Sequence, residues 1–179
     1  MKGRARFFRK LLKRWERHMP ERLRCLELQL LLNVTARGFG AAAKGIWFLP
    51  YERALREYAS FTADRENVDP ARLRAAAFAA GRKIRRVTGL DDREDLERLI
   101  FALYRGIGIT MTGRLPGEIT VSSCYFGRFY TPERCALMSQ ADEGIIAGIL
   151  GGGELTFTER ISEGRRRCAA CFEEGEERK

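Results

Sequence analysis

Between Cys124 and Phe172 the chain concentrates the side chains that could do chemistry: four of its five cysteines, Asp142 and Arg160. Cys135, Ser139 and Asp142 are separated by four and then three residues, so on a helix they share one face, and Met138, Ile145, Ile146 and Ile149 overlap that stripe. A carboxylate on an apolar face is desolvated, and its pKa rises unless a cation or hydrogen-bond donors compensate. Arg160, on a predicted strand and on the face opposite Leu155 and Phe157, is the available partner. Two roles follow for this pair. Either Asp142 is a general base for water and Arg160 clamps a substrate carboxylate in bidentate fashion, or the two form an ion pair that ties helix to sheet.

The cysteines divide in the same way. Cys124, Cys135 and Cys168 could converge at the edge of a sheet, where three thiolates would hold zinc or iron with an open position, or one would act as a nucleophile. The alternative is three small buried side chains in a strand-helix junction. Cys168 and Cys171 form C-x2-C, but alanines stand between them, and residues three apart on a strand point to opposite faces, which argues against a zinc knuckle. Cys25, inside the apolar run LRCLELQLLLNV, reads as core filling.

Other chemistries lack their residues. The single histidine, His18, would have to serve any Ser-His-Asp triad, Cys-His dyad or imidazole-based zinc site. Gly151 to Gly153 follow a predicted helix and enter a strand, whereas phosphate loops follow a strand and open a helix.

The elements that must position these residues can be read from periodicity and punctuation. Phe7, Phe8, Leu11, Leu12, Trp15 and Met19 recur at helical spacing among arginines and lysines, a basic amphipathic helix ending near Pro20. Its apolar face suits an anionic membrane surface, a second subunit or its own domain. Further helices are predicted over 23–34 and 51–61, from Pro70 to Gly89 with Asp69 as cap, and from Asp91–Asp92 to Gly106. The period then changes, and 107–112 with 118–123 reads as a hairpin. Thr131 and Pro132 open a helix that Gly151 ends, and strands are predicted over 155–161 and 166–172. The expected fold is α+β: an N-terminal helical part followed by a small, mainly antiparallel sheet with one helix packed across it. Its parts are a basic helix over 1–22, a single domain over 23–173 and an acidic tail over 174–179.

The 179 residues are 45% hydrophobic and 10% aromatic, enough for one real core. Of the formal charge of +9, about eight units come from residues 1–24, whose ten Lys or Arg face two Glu. A nearly neutral body without a zinc-finger or RNA-binding motif argues against nucleic acid as partner. The expected partner is a small-molecule substrate, with a peripheral membrane or protein contact through residues 4–19 as a further expectation. An odd number of cysteines without an export signal or a membrane span points to the cytoplasm.

Taken together, Cys124, Cys135 ten intervening residues later, Asp142 seven further on, the glycine-rich link, Glu159-Arg160-Ile161, Glu163-Gly164 and Cys168 resemble the bacterial L-2-amino-thiazoline-4-carboxylic acid hydrolase family over the last third of the chain. The resemblance implies hydrolytic opening of a cyclic thiazoline carboxylate, and suits Arg160 for the carboxylate and Asp142, or a thiolate-bound metal, for the water. The same region is similar, less closely, to the C-terminal domain of plant β-carotene isomerases, which implies iron and a lipid-facing helix. Three expectations result: a hydrolase of a small carboxylate-bearing heterocycle or amide; a cysteine-ligated metal protein or isomerase at a membrane surface; and a non-catalytic module that binds a partner through its basic helix.

Overall fold

Local signals set most of the helix ends. A computed structural model describes residues 2–64 and 68–175 and contains six α-helices: α1 (Lys2–Trp15), α2 (Glu21–Gly38), α3 (Tyr51–Ala63), α4 (Pro70–Thr88), α5 (Arg93–Gly106) and α6 (Pro132–Leu150). Side chains of Asp69, Asp92 and Thr131 accept hydrogen bonds from the first free amides of α4, α5 and α6, and proline follows the cap in two of the three. Gly89 and Gly151 stop α4 and α6 in the left-handed conformation, at φ of 66° and 103°. The acidic tail expected over 174–179 lies outside the described residues beyond Gly175.

One boundary moves. The apolar run in α2 ends at Val34, but the helix continues to Gly38, with Thr35 buried and its hydroxyl donating back to Leu31 O at 2.9 Å. A Cβ at Gly38 would fall 2.7 Å from Leu73 Cα, so this last turn seats α2 directly on α4.

Strands β1 (Ile109–Gly113), β2 (Gly117–Cys124), β3 (Glu154–Glu159) and β4 (Cys168–Glu173) form one antiparallel sheet in the order β1-β2-β4-β3. Its buried face carries Ile109, Met111, Ile119, Val121, Leu155, Cys168, Ala170 and Phe172. Cys171 is left on the other face, as strand alternation requires.

Helix α6 is the element around which the rest is packed. From Ala141 to Leu150 every residue but Asp142 is buried, with α4 against one side and the sheet against another. The α4–α6 crossing is close because glycine meets glycine: a Cβ on Gly148 would lie 2.3 Å from Phe78 O, and one on Gly81 2.4 Å from Ile145 O. Buried Glu143 is paired with Arg74 of α4 at 2.7 Å.

The basic helix α1 packs on its own domain. Leu12 is 1% exposed, Phe8 and Trp15 pack on the core, Arg9 pairs with Asp95 of α5, and Arg105 donates to Glu16 O at 2.6 Å. Phe7, Arg4, Arg6, Lys10, Lys13 and Arg14 face outward. Among the described residues no helix is long and apolar enough to cross a membrane.

Candidate functional site

A partly enclosed, mostly apolar cavity of about 90 Å³ lies where α2, α3, α5, α6 and the 124–130 segment meet. That is room for several waters or a molecule of a few heavy atoms. Asp142, Cys124 and Cys135 all line it, with Met138, Ala141 and Ile145 completing the α6 stripe. The helical spacing brings Cys135 and Asp142 to one wall and the end of β2 carries Cys124 to them, while Ser139 and Cys168 are not among the lining residues.

Asp142 is held among apolar side chains with one hydrogen bond, donated by the Tyr104 hydroxyl to Oδ1 at 3.0 Å. Burial raises its carboxyl from an ordinary 3.8 to about 6, the bond from Tyr104 and the positive field of Arg160 holding it from rising further. The Tyr104 phenol is in turn pushed well above its usual range, first by burial and then by the neighbouring Asp142 charge. Such a carboxyl changes protonation close to neutral pH, as a general acid or base must.

Arg160 takes a different position from the one strand alternation implies. A register shift between Phe157 and Glu159 interrupts the β3–β4 ladder, and Arg160 follows the strand as the cap residue of a short 3-10 turn, Ile161–Glu163. The irregularity inverts its side: the guanidinium lies over the Phe157 ring, 4.3 Å from its centroid, instead of on the opposite face. Its Nη1 donates to Ser139 Oγ at 2.6 Å. The Asp142–Arg160 ion pair is not formed, and Arg160 is not among the residues lining the cavity. Arg160 acts on Asp142 through its field alone.

The cysteines are near neighbours. Cys124 and Cys168 each feel the Asp142 charge, and Cys168 also feels Cys135. Burial pushes the Cys124 thiol up to about 12, which keeps it protonated at neutral pH and unsuited to attack as a free thiolate. Cys168 Sγ accepts the Ile161 amide at 3.3 Å, a structural contact that anchors the turn after β3. Among the described residues no three His, Cys, Asp or Glu side chains are grouped to hold a metal ion, so the expected Cys124, Cys135 and Cys168 set for zinc or iron is not assembled. Cys25 is buried, its thiol 3.5 Å from Leu49 O, as core filling should be.

Sequence reasoning missed the rest of the wall: Glu27 from α2, Tyr58 from α3, Tyr104 from α5 and Tyr130 after β2. Glu27 Oε2 is buried without a hydrogen-bond partner, a situation that costs about 1–3 kcal/mol when nothing offsets it. Burial raises its carboxyl well above the usual range, Arg24 opposing the shift. One signal for it existed, since Glu27 is the lone acid inside the most apolar helical run. The tyrosines carried none beyond their type. Compared with protein-family models, with curated proteins and with solved structures, the chain matches none.

Proposed function

We propose that the chain is a hydrolase of a small heterocycle or amide, with Asp142 as general base for water. The observation that carries this reading is the Asp142 carboxyl on the wall of a small, mostly apolar cavity, with the Tyr104 hydroxyl its one hydrogen-bond partner among the described residues. Its proton affinity, near 6, lets it be ionised at neutral pH and still strong enough to take a proton. In the reaction Asp142 removes a proton from water as the water oxygen adds to the substrate carbon. The C–N bond then breaks, and the proton passes from Asp142 to the leaving nitrogen. Cys124 and Cys135 form part of the wall, with no covalent step assigned to them.

The electrostatics refine the substrate. The cavity is lined by two carboxyls, Glu27 and Asp142, and by no lysine or arginine. A free carboxylate entering it would meet the ionised Asp142 at low dielectric, which is unfavourable. Arg160 could clamp a substrate carboxylate only by leaving Ser139 and Phe157. An uncharged ring or amide bearing a scissile C–N bond fits better, and the resemblance of the last third to the thiazoline hydrolases supports the reaction type more than the carboxylate.

The test is turnover on a panel of small lactams, cyclic amidines and primary amides. Asp142→Asn should reduce kcat by at least about a hundredfold with no loss of thermal stability. Full activity in that variant, or no turnover of any member by the wild type, would overturn the reading.

A further inference from the structure

Six of the eight large hydrophobic side chains exposed among the described residues belong to α2, to the loop after it and to the end of α4. Leu23, Leu26 and Leu30 follow one another at three- and four-residue spacing along the outer face of α2. Trp47 and Phe48, 57% and 66% exposed, stand edge to face on the loop after α2. Gln29, one turn beyond Leu26, holds that loop to the helix by accepting the amides of Ile46 and Trp47. Val87 of α4 shares with Leu30 a groove of about 580 Å³ between the two helices. Apolar side chains grouped in this way mark a surface that a partner or a membrane covers.

The charge around these side chains says which. From Leu28 to Tyr51 and from Pro70 to Leu90 the chain has no acidic residue. Arg37, Lys44, Lys83 and Arg86 are exposed there, and no carboxylate of the described residues pairs with any of them. Three of the four rim the groove. The same face of a second copy would oppose like charge. We propose that the outer face of α2, the Trp47–Phe48 loop and the C-terminal half of α4 dock on an anionic lipid bilayer. The aromatic pair and the leucines enter the headgroup region, and the four cations meet lipid phosphates. This is independent of the hydrolase reading. It also moves the membrane contact away from the apolar side of α1, where Phe8, Leu12 and Trp15 are packed on the core.

The probes are vesicles of phosphatidylcholine alone and of an equal mixture of phosphatidylcholine and phosphatidylglycerol. In co-sedimentation the full chain should bind the mixed vesicles at least about tenfold more tightly, and added salt should weaken that binding. Trp47→Ser combined with Phe48→Ser should weaken it at least about tenfold with the melting temperature unchanged. Lys83→Gln with Arg86→Gln should weaken it more than Lys10→Gln with Lys13→Gln, which removes the same charge from α1. If the aromatic pair of substitutions prevents folding, Leu26→Ser with Val87→Ser carries the same expectation. Equal binding to both vesicles, full binding by a folded Trp47→Ser and Phe48→Ser protein, or a greater loss from the α1 pair would each overturn the assignment. So would absence of vesicle binding. Self-association, or capture of an acidic amphipathic peptide, that the aromatic substitutions abolish would then give this face to a second copy or to a partner helix.

Discussion

The Tyr104 hydroxyl and Asp142 Oδ1, 3.0 Å apart, join α5 to α6 at the wall of the cavity. Because the bond favours the ionised carboxyl, Tyr104→Phe should raise the Asp142 pKa above its value near 6. The rising limb of the rate against pH should move upward with it, read from a kcat profile between pH 5 and 8. Loss of the bond should also cost about 1–2 kcal/mol in urea unfolding.

Asp142 should oppose folding at neutral pH. Its folded pKa, near 6, lies above its ordinary 3.8, so the folded state holds the proton more tightly than the unfolded state does. The stability this confers is complete below pH 4 and is lost as pH rises through 6. Asp142→Asn removes that dependence, and relative to the wild type it should be more stable at pH 7 than at pH 4, by on the order of 2 kcal/mol. Parallel unfolding curves for the two proteins at both pH values check this.

Arg160 lowers the Asp142 pKa from a distance and is steered by Ser139. Arg160→Gln should therefore raise the Asp142 pKa, seen in the carboxyl carbon shift of a labelled sample. Ser139→Ala, which frees the guanidinium, should change it less. A fall in either variant would contradict the assigned field.

Gly148 and Gly81 set the distance between α4 and α6. Alanine is the better helix former by about 1 kcal/mol, yet Gly148→Ala would place its Cβ 2.3 Å from Phe78 O and force the helices apart. Net destabilisation of about 2 kcal/mol or more is expected from denaturant midpoints.

Burial holds the thiol of Cys124 up near 12. In the folded protein at pH 8 it should resist iodoacetamide for hours and react only in denaturant, as peptide mass mapping would show.

The helix ends were legible in the sequence because their causes are local. Asp69, Asp92 and Thr131 cap amides two or three residues away, and Gly89 and Gly151 stop helices by their own backbone freedom. The Cys135–Asp142 stripe was legible for a related reason, since a regular helix turns spacing into direction. Arg160 was misplaced where that regularity broke, because one irregularity in the β3–β4 ladder inverts the side a residue faces and depends on the partner strand. Glu27, Tyr58, Tyr104 and Tyr130 reach the cavity from four segments spread over a hundred residues, and no local pattern relates them. The strand of sequence determined which carboxyl would be poorly solvated. Only the packing of α2, α3 and α5 around α6 decided that a second acidic residue, Glu27, and three tyrosines would line the same cavity, because contacts between segments so far apart in the chain depend on the tertiary fold.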